Sequence, residues 1–303
     1  GKGLLASAEV LERRLATATA AQSRPASLVF SSEFLFEEMC AGGATTVLAD
    51  TARRHGLERV ALLLFIRDPL EHAASWYQQR VKRQGFHGGV EACFEEIAAP
   101  RRVAEVLDRL ADSEGIEVTV RNYSRCRERL VEETADWLGV PSTDMTQPRA
   151  LRVNRSMTRA ELALQRAFNR RLGSCGGLLS DPLCERLPNV VPDEAMPADP
   201  AVQEAACKRL SSFIERVNAR IPEVHRYRCD VRISSSPAGP VTLSQDQIEV
   251  IADGVAEEIL RLRAETERLR AALARPETAL GARQLLFAFL RRLRRVFIRR
   301  LSP

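Results

Sequence analysis

The stretch LLLFIRDPLEHAASWYQQRVKR, Leu62 to Arg83, holds the residues with the clearest chemical purpose. An apolar run ends at Arg67, and Ser75 follows eight residues later. A guanidinium is a planar fork that binds phosphate or sulfate through two parallel N–H donors. A nearby hydroxyl supplies a further donor. Between the two lie Asp68, Pro69 and Glu71, a combination suited to a helix start: an N-cap, a first-turn proline and a capping-box carboxylate. The pattern therefore places Arg67 at the tip of a strand and Ser75 two turns along the next helix. Arg67 can reach along that helix, and the pair is matched to a single phosphate group.

Such a pair works only if a sheet holds it. In an open α/β sheet, ligands sit outside the carboxyl ends of the strands. Three segments read as strands: Leu28 to Ser32, Arg59 to Ile66 and Ile116 to Val120. The second, RVALLLFI, is apolar on both faces, as a central parallel strand is. Helical spacing occupies the intervals: Leu4 to Ala20, Thr45 to His55 before Gly56, and the set Val103, Val106, Leu107 and Leu110. A further helix carries Leu130, Thr134, Trp137 and Leu138 and stops at Gly139 and Pro141. Residues 159–172 and 201–219 add helices. Alternation of this kind predicts a doubly wound α/β sheet. Glu33 follows the first strand and so falls on the same sheet edge as Arg67. There it could serve as a general base, cap a helix over Phe34 to Met39, or pair with an arginine. Tyr123 reads as a packed strand-end aromatic.

Composition narrows the function classes. The chain has 303 residues, 28% charged and 45% hydrophobic, enough for a sizeable core and about two domains. The longest apolar run, Val60 to Ile66, is far below the ~18 residues of a membrane span. Aromatics make up 5%, too few for a base-stacking platform, so no nucleic-acid partner is expected. Of 45 basic residues only Lys2, Lys82 and Lys208 are lysines. This bias fits anion recognition, and equally a codon habit. Seven cysteines, widely spaced and without a CxxC, predict free thiols in a reducing, cytoplasmic compartment. His55, His72, His87 and His225 show no metal-ligand spacing, so no metal is expected. A P-loop kinase would need GxxxxGK[ST], which is absent.

The C-terminal part has a different character. Residues 229–243 include SSSPAGP and read as a linker between an α/β domain, 1–228, and a helical extension, 244–303. Ser244 and Gln247 form a capping-box pattern. Ile248, Ala252, Val255, Ile259, Leu262, Thr266, Leu269 and Leu273 then recur at alternating four- and three-residue steps up to Pro276. That seam over 248–273 suits either self-association or packing on the body. Residues 283–303 carry seven arginines and no acidic residue, interleaved with Leu286, Phe289, Leu293, Phe297 and Leu301. This is a basic amphipathic helix suited to an anionic membrane surface or to packing on the body, and it makes peripheral membrane association an expectation.

The order of these segments resembles the PAPS-dependent sulfotransferases, bacterial carbohydrate-type members in particular. The resemblance rests on the strand-end Arg67, Asp68-Pro69, Ser75 and the following aromatic. It extends to VFSSEFLF (Val29 to Phe36), VTVRNYSRCRERLVEETADWLGVP (Val118 to Pro141) and LRVNRSMTRAELALQRAFNR (Leu151 to Arg170), about half the chain. It implies an α/β fold with a P-loop-like parallel sheet flanked by helices. It implies a co-substrate, 3′-phosphoadenosine-5′-phosphosulfate, and sulfuryl transfer to a hydroxyl of a carbohydrate or related acceptor. Arg67 and Ser75 would hold the 3′-phosphate. Arg152, Asn154 and Ser156 would close over the nucleotide, and Glu33 is the candidate base. Residues 173–200, Gly/Pro-rich and irregular, would shape the acceptor pocket. One element departs from the family pattern: the glycine-rich loop that cradles the 5′-phosphosulfate is missing, and Gly1-Lys2-Gly3 does not replace it. The expectation is a chain truncated upstream of Gly1. The alternative is an inactive relative acting through its C-terminal helices.

Overall fold

The computed structural model describes residues 13, 16–17, 29–32, 34–57, 59–145, 155–187, 198–233 and 242–274. The expected helix over Leu4 to Ala20 lies outside these, except that Arg13, Ala16 and Thr17 are helical. The architecture is α/β and mostly helical, with a small parallel sheet. The elements that bear on the site are α1 (Leu35–Ala41), α2 (Ala44–Arg54), β1 (Val60–Ile66), α3 (Pro69–Arg83), α4 (Glu91–Glu96), α5 (Ala99–Ala111), β2 (Ile116–Asn122), α6 (Tyr123–Cys126) and α7 (Leu130–Leu138). They are followed by α8 (Arg159–Leu172), α9 (Ser180–Arg186), α10 (Pro200–Asn218) and α11 (Gln245–Ala274).

β1 and β2 pair in parallel, from Val60 opposite Ile116 to Ile66 opposite Asn122. The crossover between them runs through α3, α4 and α5, as parallel pairing requires. α5 explains how the sheet is held. Pro100 suits its first turn, and Val103, Val106, Leu107 and Leu110 return at three- and four-residue steps. These side chains serve two cores. Val103, Ala104 and Leu107 pack with Ile66, Val120 and Val217. Val106 and Leu110 pack with Met39 and Ile116. A third core is helical and joins Leu70, Tyr77 and Val81 of α3 to Phe94, Leu162, Leu183 and Leu210.

Several expectations are corrected here. Val29 to Ser32 form no strand; they are exposed and carry no regular structure. β1 is therefore an edge strand among the described residues. Among the described residues it has one strand neighbour, and Ala61 and Phe65 are exposed on its outer face. An apolar strand sequence sets what can be buried, but only neighbouring strands decide whether it is. Residues 173–200 are not wholly irregular, because Ser180–Arg186 is a helix whose Leu183 and Cys184 enter the helical core. Free thiols throughout were expected, yet Cys207 and Cys229 are joined by a disulfide, while Cys40, Cys93, Cys126, Cys175 and Cys184 are free. A separation of 22 residues gave no motif; the turn after α10 brings the two together.

That turn also alters the reading of the linker. Residues 229–233 are held to the body. Gln203 donates to the Arg232 carbonyl at 2.8 Å and accepts from the Arg232 N–H at 2.9 Å. The expected capping box at Ser244 and Gln247 forms in both directions. α11 then docks by its first turns. Gln247 donates to Glu161 at 2.8 Å, and Val250 and Ile251 pack on the helical core. Gly254 allows the close approach, since a Cβ there would sit 2.8 Å from the Leu178 carbonyl oxygen. No helix of the described residues is long and apolar enough to cross a membrane. Residues 283–303 lie outside the described residues.

Candidate functional site

Arg67 and Tyr123 are the residues that follow the last paired positions of β1 and β2, Ile66 and Asn122. Adjacent strands therefore deliver them side by side at the carboxyl end of the sheet. The Arg67 guanidinium carbon lies 4.5 Å from the centre of the Tyr123 ring. This is cation–π range. Both residues are half-buried. Among the described residues no carboxylate forms an ion pair with Arg67.

The absence of such a pair has a local cause. Asp68, the next residue, is the nearest carboxylate in sequence, and its oxygens are occupied. Oδ1 accepts from Asn122 Nδ2 at 2.8 Å and from the Arg228 backbone N–H at 3.1 Å. Oδ2 accepts from Arg125 Nη2 at 2.6 Å. The Asp68 backbone N–H donates to Ser124 Oγ at 3.0 Å. The expected side-chain cap of α3 by Asp68 is thus corrected: the carboxylate faces away from the helix end and ties β1 to β2, α6 and the 226–232 segment. Glu71, the expected box partner, pairs with Arg232. The pattern does mark a helix start, but long-range donors outcompete the local amides for the carboxylate.

The surroundings are electropositive. His72, in the first turn of α3, has its pKa lowered to about 4, chiefly by burial and further by the charges of Arg67 and Arg102. It is a neutral imidazole at pH 7. Arg102 stacks over Phe36 at 5.3 Å and pairs with Glu37 at 2.5 Å. The Glu37 carboxyl is held below its usual range, mainly by that hydrogen bond. α1 is thereby fastened beside the start of α5. Glu33, the expected base, lies outside the described residues, two positions before α1.

Ser75 is exposed on α3. Gln78, one turn further on the same face, accepts the Met157 backbone N–H at 2.9 Å. That bond brings the 155–157 segment onto the Ser75 face, with Ser156 exposed. Arg152 and Asn154 lie outside the described residues. What anchors their end of the segment is Arg155, which is buried and bonded in both directions. It grips Glu161 through two guanidinium nitrogens, one at 2.8 Å, and donates to the Leu183 carbonyl at 3.0 Å. Glu161 also completes the Thr158 capping box of α8. Lys82 donates to the Arg155 carbonyl at 2.9 Å from the end of α3.

The structure thus brings together Arg67, Tyr123 and His72 at the strand ends, and places Ser75 and Ser156 along α3. His72, Asp68, Asn122, Arg125 and Arg102 were missed as site residues. The Asp68 and Asn122 pairing had a faint signal, since both are polar residues at the ends of apolar strands. His72 had none. A cleft of about 470 Å³ opens along β2 beside α5 and residues 220–222, and no expected site residue lines it. Among the described residues no group of three or more His, Cys, Asp and Glu could hold a metal ion. No protein-family model, curated protein or solved structure matches the chain.

Proposed function

We propose that this chain grips the 3′-phosphate of a phosphoadenosine nucleotide and forms the nucleotide-binding part of a sulfotransferase. The donor is 3′-phosphoadenosine-5′-phosphosulfate, and the acceptor is a hydroxyl of a carbohydrate or related molecule. The observation that carries this reading is Arg67: a half-buried guanidinium at a strand end, stacked on Tyr123, with its neighbouring carboxylate engaged elsewhere. A cation so placed, with no carboxylate paired to it among the described residues, is available to an anion. Ser75 supplies a hydroxyl along the same helix, and Ser156 lies on the adjoining segment. Arg152 and Asn154 belong to that segment as further nucleotide contacts.

In the transfer itself, the acceptor oxygen attacks sulfur and the bond from sulfur to the 5′-phosphate oxygen breaks. Adenosine 3′,5′-bisphosphate leaves, and Glu33 takes the acceptor proton. The test is calorimetric binding of adenosine 3′,5′-bisphosphate, with the 2′,5′-isomer and the 5′-monophosphate as controls. Preference for the 3′-phosphate that disappears in Arg67→Ala supports the reading. Equal binding of all three, or none, overturns it. Incubation with labelled donor and a glycan panel then tests transfer.

A second reading rests on the exposed seam of α11: a protein that keeps the 3′-phosphate grip without transfer and acts through its C-terminal helix. Nucleotide binding with no label transferred to any acceptor favours it.

A further inference from the structure

We propose that α11 pairs with α11 of a second copy of this chain as a parallel, in-register, two-stranded coiled coil. The inference is independent of the nucleotide reading.

α11 uses two faces. Gln247, Val250, Gly254 and Glu257 meet the body, the last through Arg186 at 3.2 Å. The heptad seam lies elsewhere on the helix. At about 100° per residue, Gly254 and Ile259 are about 140° apart around the axis. The seam is accordingly open: Ile248 is 47% exposed, Ile259 45%, Leu262 48% and Leu269 39%. From residue 259 to 271 every residue except Glu265 is exposed, so the helix runs clear of the body. A lone helix with an apolar stripe of this kind needs a partner to bury it.

The charges identify the partner. The alternating steps put Ala252, Ile259 and Thr266 at heptad position a, and Ile248, Val255, Leu262 and Leu269 at position d. Glu258 and Glu265 then fall at g, and Arg263 and Arg270 at e. In a parallel, in-register pair, each g residue faces the e residue of the next heptad on the other helix. Glu258 meets Arg263 of the second copy, and Glu265 meets Arg270, each twice by symmetry. An antiparallel pair would instead set Glu against Glu and Arg against Arg. Ile259 at a with Leu262 at d is the combination that favours two strands. Arg263 and Arg270 form no ion pair within the described chain, whereas Arg261, at the outward position c, pairs with Glu258 and Glu265. Thr266, the polar residue of the seam, satisfies its hydroxyl on the Leu262 carbonyl at 2.7 Å.

The test is sedimentation equilibrium of the full chain over a wide concentration range. It compares the wild type with Arg263→Glu/Arg270→Glu, with Glu258→Arg/Glu265→Arg, and with an equimolar mixture of the two variants. The wild type should form a reversible dimer. Each variant alone should dimerise about tenfold more weakly or worse, because four cross-chain attractions become repulsions. The mixture should regain dimer as a heterodimer. Arg263, Glu265 and Arg270 lie on the part of the helix clear of the body, and Glu258, which pairs with Arg261 of the same helix, adjoins it, so circular dichroism and the unfolding transition of the body should stay unchanged. A wild type that is monomeric throughout, that forms a trimer or tetramer, or whose dimer ignores both exchanges overturns the proposal.

Discussion

The guanidinium of Arg67 rests on the ring of Tyr123, 4.5 Å from its centre, because parallel pairing of Ile66 with Asn122 places the two residues side by side. Neither strand alone creates the arrangement. It depends on register, and register is held at this end by Asp68 and Asn122.

Arg67→Ala should weaken binding of adenosine 3′,5′-bisphosphate by about 2–4 kcal/mol, on the scale of truncating one partner of a desolvated charge pair. Tyr123→Leu removes the stacking surface and should cost less, about 0.5–2 kcal/mol. Titration calorimetry on folded variants measures both. An Arg67→Ala protein that binds as tightly as wild type would remove the anion site from Arg67.

Asp68→Ala should destabilise the fold by about 3–5 kcal/mol, because it strands Arg125 and the Asn122 amide in a largely buried setting. Asp68→Asn should cost less, since the amide oxygen can still accept from Asn122 or the Arg228 N–H. Urea unfolding separates the two. Equal and small losses would mean that the carboxylate does not hold the strand ends.

His72 gives the protein a pH dependence of definite sign. Its pKa is lowered to about 4 in the fold, from 6.5 in the unfolded chain. Between those values the unfolded state binds the extra proton. Stability from this group is therefore complete above pH 6.5, falls as the pH drops toward 4, and is gone below it. The full effect is roughly 3 kcal/mol. His72→Gln should flatten the stability profile across that window. An unchanged slope would show that another group titrates there.

Reducing the Cys207–Cys229 bond should lower stability by about 3 kcal/mol for a loop of this size. The loss should be reproduced by Cys207→Ser/Cys229→Ser without reductant. A thiol-reagent titration of the denatured, unreduced protein should find five thiols rather than seven. In the native protein Cys40 should react first, since burial raises the thiol pKa of Cys93, Cys126, Cys175 and Cys184. Seven reactive thiols would exclude the bond.

Glu161→Ala removes a carboxylate that serves Arg155, Thr158 and Gln247 together. The expected loss is about 3–5 kcal/mol, because Arg155 is left buried and unpaired. The same change should loosen the first turns of α11, seen as faster amide exchange near Gln247. Protection at Gln247 equal to wild type would show that the helix docks without Glu161.

Local periodicity in the sequence was enough to locate β1, β2, α3, α5, α8, α10 and α11. They are written as a continuous apolar run for β1, as a helix start for α3 and as short spacings elsewhere, and such local signals need no distant partner to be read. The capping box at Ser244 and Gln247 was legible for the same reason. So were the places of Arg67 and Ser75, at a strand end and on the next helix, because a strand end followed by a proline-started helix fixes where they fall along the chain. What the sequence could not decide was which groups meet across large separations. Asp68 turned from its own helix to Asn122, Arg125 and Arg228; Cys207 met Cys229 across a turn; Val29 to Ser32 found no strand to pair with and stayed irregular. Competition among distant donors, sulfurs and strand edges is settled by the packing of cores, and no local pattern encodes the outcome. The open seam of α11 shows both halves: its heptads were visible in the chain, but only the fold showed that the body covers another side of the helix and leaves most of the seam exposed.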